Sequence, residues 1–518
     1  MELSESESLR KVAKGTAVAF FGLLVFIILE FVARIIIIRN TTQSEYGAFC
    51  IGIVILNFFA VAACLGLQGG APRCIAYFRG RGDDRRVSAV IRSTLKLSVL
   101  ASLLCSLLLF LSADFLTALF HFQPQETAVL RAFALAVPFF VAIEILAPVF
   151  MGFDRVQERV YFREVLMNVL KVSFVAGAVL LGCSLLGLVC AYVFSIVVAS
   201  VAFAFYAVKK LPLKCATAEA VPATVTKGLL RFSLPLLVTY VLGVAVLQTA
   251  TLMLGYFKTT AVVGLYNAAH TVAVLITVFI ISLAYIYIPI ASQLYSRGLM
   301  NEIRRNYAVL TKWVFSAAFP SSLFLFLFPK PVLNVLFGSA YESASLALQI
   351  LALGFFFTFF LGPNAATLVV VGRTKLNMLD DLVGAVTNLS LNALLIPVFG
   401  IVGAAVATAI SLAALTLLKS VQIYRIHKIH PFATNYLKPV VIYCVLVSVV
   451  YAVVNIFWSD RVTFGILIVL SFLFLVMYGL SILITKSFER EDEIILEEVE
   501  RILGVDASRI KSMLRRFL

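Results

Sequence analysis

Charge is scarce in this 518-residue chain: 13% of its residues are Asp, Glu, Lys or Arg, against 62% hydrophobic. Acidic residues number 27, His 4 and Trp 2. The eight Cys are scattered, mostly inside apolar runs (Cys50, Cys64, Cys105, Cys190, Cys444), with no CxxC and no His nearby. That excludes a disulfide framework and a zinc-type site, and leaves them as small apolar side chains. There is no GxxxxGK[ST] loop, so a P-loop nucleotide site is absent too. No nucleophile–base or metal constellation stands anywhere, and nothing calls for a cofactor. A mean hydropathy of +1.03 rules out an ordinary soluble domain of this length.

What fills the chain instead is fourteen apolar runs, the first at Ala13–Ile38 and the last two at Val440–Phe457 and Phe464–Ile484. A bilayer core takes about twenty apolar residues per helical crossing, so the runs account for almost the whole length. Lys and Arg sit in alternate gaps. Even-numbered gaps hold 25 of them, including Arg73, Arg85, Arg159, Arg163, Lys209, Arg304, Arg373 and Lys419. Odd-numbered gaps hold five: Arg39, Arg131, Lys258, Lys330 and Arg461. The positive-inside rule then puts the even gaps and both termini in the cytoplasm, in a multi-pass protein of the plasma membrane. The net charge of +15 is thus a matter of topology beside anionic lipid. No basic stripe with interleaved aromatics stands on a soluble domain, which excludes nucleic acid as a partner. The first run is too long for a signal peptide, lacks a small-residue cleavage site and leads directly into the second, so it is read as retained. The outer loops are short and leave no room for a catalytic domain outside the bilayer.

The chain repeats itself at a shift of about six spans. Tyr46 and Tyr266, opening spans two and eight, are 220 residues apart, as are Gly152 and Gly372, closing spans four and ten. Gly187-x3-Ala191-x3-Ser195 and Gly403-x3-Ala407-x3-Ser411 open spans six and twelve. Two halves of equal topology are related by an axis along the membrane normal. The expected fold is all-α and polytopic: about fourteen transmembrane helices in two pseudo-symmetric six-helix lobes, 1–226 and 227–430. Two further helices follow at 431–485, and then a tail at 486–518. In the tail the spacing of Ile494, Ile495, Leu496, Val499, Ile502 and Leu503 predicts cytoplasmic amphipathic helices. They form a surface-lying cap or a dock for a cytoplasmic glycosyltransferase.

Several stretches carry a family likeness: ARIIIIRNTTQSEYGAF after span one, FSLPLLVTYVLG in span seven, VGLYNAA in span eight and VLFGSAYESASLALQIL at the ninth gap. VTNLSLNALLIPVFGIVGAAVATAIS, across spans eleven and twelve, is the most specific. From the first span to about Gln422 the chain resembles the polysaccharide-transporter branch of the multidrug/oligosaccharidyl-lipid/polysaccharide (MOP) flippase superfamily. The resemblance implies a two-lobed transporter acting by alternating access, working as a monomer. It would move a polyprenyl-diphosphate-linked oligosaccharide from the cytoplasmic to the outer leaflet. The alternatives are a cation-coupled drug or metabolite antiporter of the same superfamily and an integral membrane enzyme of glycan assembly.

A diphosphate with sugars needs cationic and amide or hydroxyl groups across about 30 Å of hydrocarbon. Ionisable residues inside the spans are few: Glu30 and Arg34 in span one, Glu144 in span four, Lys171 in span five and His270 in span eight. Glu30 and Arg34, four apart, share a helical face and can pair. Arg34 and Lys171 either hold phosphate or snorkel to a membrane face. Glu30 and Glu144 are candidate ion-coupling carboxylates, and Glu144 is otherwise a pair for a cytoplasmic Arg. In the second half the polar groups are mostly amides: Gln248, Asn267, Asn388 and Asn392, with His270. They suit sugar hydroxyls, but the Asn388–Asn392 pair reads equally as interhelical packing and His270 as a satisfied buried His. Pro235, Pro289 and Pro397 interrupt or end helices.

Overall fold

A backbone crossing hydrocarbon must satisfy every N–H and C=O internally, and long apolar runs do so by coiling into helices. A computed structural model describes residues 5–123, 126–211, 223–431, 437–458, 463–485 and 487, and these residues are helical with no strand among them. The predicted tail at 486–518 lies almost wholly outside the described residues. Twelve helices among those described are long and apolar enough to cross a membrane. Thr374–His427 counts as one of them although it has 54 residues, about 80 Å at helical rise, far more than one bilayer core. It is broken at Gly400, whose φ of 55° and ψ of −126° fall outside the helical region, so it makes two crossings, the predicted spans eleven and twelve. Span five runs from Val156 to Leu180 as a short helix, a π-helical stretch at Val160–Leu166 and the helix Met167–Leu180. No single piece of it is long enough to be counted alone. With these two the helices reach the fourteen crossings read from the sequence, span five starting nine residues earlier than its apolar run.

Two compact units organise the chain: one of Val18–Asn267 with Asn388–Ile401, the other of Met1–Ala17, Ala268–Thr387 and Val402–Leu518 as far as these are described. They follow packing, and cut the chain elsewhere than the repeat does. Both turn large apolar side chains outward, among them Leu111, Phe115, Val398 and Phe472, and keep polar ones such as Asn168, Lys171, Asp380 and Asn392 inside. That inversion of the soluble pattern suits a lipid surround.

In the first unit, the ends of spans two and eight meet closely. Thr42 caps Gln43–Ala63 in a box with Glu45. Ser44 Oγ then lies 2.6 Å from Thr260 Oγ1, at the start of Thr260–Ala273. A Cβ on Gly47 would run into the Thr260 carbonyl, and one on Gly264 into the carbonyl of Gln43. Only glycine permits this approach. The contact is reciprocal between the two stretches whose Tyr46 and Tyr266 the sequence repeat pairs.

In the second unit the two helices after the repeat, Leu437–Trp458 and Phe464–Ile484, pack on span nine, Met300–Leu327. Aromatic rings make the seam: Phe319 with Tyr443 at 5.6 Å, Phe324 with Phe474 at 5.5 Å and Tyr443 with Tyr478 at 5.1 Å between centroids.

Candidate functional site

Three of the four ionisable residues predicted from spans one, four and five converge. Glu30 and Arg34 are one turn apart on the first helix, and Arg34 Nε donates to Glu30 Oε1 at 3.1 Å. Lys171, from span five, donates to the other oxygen, Glu30 Oε2, at 2.6 Å. Its second partner is Asn168 Oδ1, at 3.0 Å, three residues back on the same face. Its Nζ also lies 4.8 Å from the ring centre of Tyr192 on span six, a cation–π distance. Tyr192 is wedged edge-on against Phe49, at 5.5 Å.

The Lys171 side chain is 3% exposed, so it is turned into the bundle and does not snorkel. Among the described residues the cluster holds two cations and one carboxylate and therefore carries one excess positive charge in an apolar setting. Such a site favours an anion, since burying an uncompensated cation is costly. The side chains of Arg34 and Glu30 remain 27% and 21% exposed, so the accessible edge of the cluster lies on span one.

The polar path continues from Lys171 along span five. Asn168 Nδ2 donates to the Glu164 carbonyl at 2.8 Å, and the Glu164 carboxylate pairs with Arg159 at 3.2 Å. Arg163 and Glu164 both lie in the π-helical stretch and meet different neighbours. Arg163 grips Glu144 with two bonds, at 2.7 and 3.3 Å. Glu144 is thus the partner of an Arg from the gap between spans four and five, in keeping with one of its two sequence readings.

The amides do not join this cluster. Asn267 is buried, donates to the Val263 carbonyl at 2.9 Å and accepts from Thr251 at 3.1 Å. Asn392 Nδ2 donates to Asn388 Oδ1 at 2.9 Å and to the Asn388 carbonyl at 2.8 Å, both residues being fully buried. Asn388 Nδ2 and Asn392 Oδ1 have no hydrogen-bond partner there. His270 stands edge-on to Phe355, with ring centres 5.7 Å apart. Gln248 is half-buried on its helix. Sequence reasoning missed Asn168 and Tyr192. Asn168 carried a signal, being one helical turn from Lys171; Tyr192 carried none.

The chain is similar to known proteins along most of its length. The profile of the family described as polysaccharide biosynthesis protein matches residues 12–295, and that of lipid II flippase MurJ matches residues 168–473. An uncharacterised membrane protein of Methanocaldococcus jannaschii is 23% identical over 424 residues, 77% of this chain and 81% of its own. A probable low-salt glycan biosynthesis flippase of Haloferax volcanii is 26% identical over 411 residues, 75% of this chain and 79% of its own. Among solved structures, lipid II flippase MurJ in an inward closed conformation has a TM-score of 0.69 at 13% identity, covering 89% of this chain and 97% of its own. An inward-facing multidrug resistance MATE transporter of the MOP superfamily has a TM-score of 0.64 at 17% identity, with 79% and 97% covered. At these identities the structural likeness is one of fold.

Proposed function

Because this chain belongs to the polysaccharide biosynthesis protein family, within the MOP superfamily, we propose that it flips a polyprenyl-diphosphate-linked oligosaccharide from the cytoplasmic to the outer leaflet. The product would feed cell-surface glycan assembly. The observation that carries this reading is the net-positive cluster of Glu30, Arg34 and Lys171 inside spans one and five. A diphosphate is the part of such a substrate that needs a buried cation. In our reading Arg34, on the accessible edge, meets the phosphate, while Lys171 orients Glu30 and adds to the positive potential. The relatives named for glycan-biosynthesis and lipid II flipping support the same substrate class.

The antiporter reading is less well supported. Glu30 and Glu144 are both engaged by the chain's own cations, so a coupling ion would have to displace Lys171 and Arg34, or Arg163. An enzyme would need a nucleophile with a base beside it; the side chains gathered here are the ion triad, the Asn168 amide, the Tyr192 and Tyr46 phenols and the Cys50 thiol, and the one carboxylate is held by Arg34 and Lys171.

We further propose that the repeat lobes 1–226 and 227–430 are the elements that alternate, with cytoplasmic termini as the Lys and Arg distribution predicts. The amides at Gln248, Asn267, Asn388 and Asn392, with His270, would contact sugars, and the chain would act as a monomer. A phosphate-bearing anion leaving an inside-negative cell is favoured by about 2.3 kcal/mol per charge per 100 mV.

The test is translocation in proteoliposomes of a fluorescent polyprenyl-diphosphate oligosaccharide, with wild type, Arg34→Ala and Lys171→Ala compared. Outer-leaflet appearance lost in a folded Arg34→Ala protein establishes the contact. Full transport in both variants removes the site but keeps the function, and sodium- or proton-driven efflux of a small organic cation instead replaces the function.

A further inference from the structure

Spans eleven and twelve form one hairpin around Gly400, and polar residues gather near its two far ends. Asn377, Asp380 and Asp381 share a face of span eleven, spaced three and four apart; Lys419 and Gln422 share a face of span twelve. Lys419 Nζ donates to Asp381 Oδ1 at 2.7 Å, and Asn377 donates to Asp381 Oδ2 at 3.2 Å. Asp381 is therefore paired on both oxygens. Asp380 is not. It is 2% exposed, and its Oδ1 lies 2.6 Å from the Gln422 amide. Its Oδ2 is buried with no hydrogen-bond partner among the described residues, and so are Gln422 Oε1 and Asn377 Oδ1.

Among the described residues the charge tally is short by one. Two carboxylates face one ammonium, and the charged groups that act on Asp380 are Asp381 beside it and Lys419 across from it. Lys419 is already held by Asp381. An ionised carboxylate buried without its own cation is costly enough that such groups normally neutralise. A side-chain amide can turn either its oxygen or its NH2 toward a partner. With the oxygen turned inward, Gln422 accepts from a carboxylic acid, and no charge is left over.

We propose that Asp380 is a proton-binding site, holding its proton against the Gln422 amide while the ends of spans eleven and twelve are packed together. Losing the proton leaves a bare carboxylate that only water or separation of the two helices can accommodate. Proton binding is thereby tied to the packing of this hairpin. This deepens the transport reading by naming the ion, yet the site stands or falls whether or not the chain flips lipid.

The test uses the full chain in lipid nanodiscs and needs no substrate. Infrared spectra at neutral pH should show a carboxylic-acid C=O band that Asp380→Asn removes and Asp381→Asn keeps. Gln422→Leu should shift that band, because its hydrogen bond is gone. Thermal stability of wild type should fall as pH rises through deprotonation, the unfolding constant growing up to tenfold per pH unit for one proton, since the folded state binds more protons there than the unfolded. Asp380→Asn, which mimics the neutral acid, should lose that slope. If it does not fold, the response of the wild-type band to Gln422→Leu decides. Absence of the band in wild type, or an unchanged slope in Asp380→Asn, overturns the proposal. A sodium-dependent stabilisation that Asp380→Asn abolishes overturns it too, and puts a metal cation in the proton's place.

Discussion

Lys171→Met isolates the central ion pair of spans one and five. Met keeps most of the stem volume and removes only the ammonium, which now sits 2.6 Å from Glu30 and 3.0 Å from Asn168. Breaking a buried pair by deleting one partner costs about 3–5 kcal/mol, because the other charge is left uncompensated. Arg34 remains 3.1 Å from Glu30 in the variant, so the loss belongs at the low end, about 3 kcal/mol. Glu30→Gln is worse. It strands Lys171, 3% exposed, beside Arg34 with no anion between them, and should cost about 4–5 kcal/mol. The double variant removes the stranded charge in each case and leaves one partly exposed Arg. Its cost should fall short of the sum of the singles by about 2–3 kcal/mol, near the top of the range for residues in contact. Unfolding of the detergent-solubilised protein by heat or denaturant measures all four corners of the cycle. Additivity within about 0.5 kcal/mol would show that the two groups do not compensate each other, and would refute the triad as the source of the buried charge balance.

Four other outcomes follow from the same geometry. Arg34→Lys should keep the charge but lose the planar fork, so transport of the diphosphate-linked probe should drop by roughly tenfold, where Arg34→Ala loses it entirely. Glu144→Gln should cost about 1–2 kcal/mol in melting assays, since Arg163 is one-third exposed and can hydrate, and should leave transport intact if Glu144 is only a structural pair. Ser44→Cys with Thr260→Cys, whose oxygens are 2.6 Å apart, should cross-link under oxidant, stop transport and recover with reductant, each single variant staying active. Gly47→Val should cost about 1–3 kcal/mol by overpacking, and should raise labelling of a Cys placed at Ser44, because the carbonyl of Thr260 leaves no room for a side chain.

Hydropathy and charge pattern made the helices legible, because crossing a bilayer demands long apolar runs and orientation demands asymmetric Lys and Arg. Spacing made local pairs legible: Glu30 with Arg34 one turn apart, and Asn388 with Asn392. Contacts across the bundle were not. Nothing in periodicity says that span five lies against span one, so Lys171 could be weighed only alone, as a snorkelling residue or a phosphate ligand. The π-helical stretch Val160–Leu166 was hidden too, since periodicity does not mark a widened turn. Asp380 and Asp381 were passed over because they sit at the edge of an apolar run, where acidic residues carry little topological weight. The structure separates them, pairing one on both oxygens and leaving the other with an empty one. Within single units of the chain, then, charge is settled in two ways: spans one and five keep a cation in excess, and spans eleven and twelve offset a second carboxylate with a proton. A flippase for a diphosphate needs the first. The second, with its unpaired Asp380, is where an inward-moving proton would register in the fold, and it lies on residues distinct from the carboxylates that the sequence nominated for coupling.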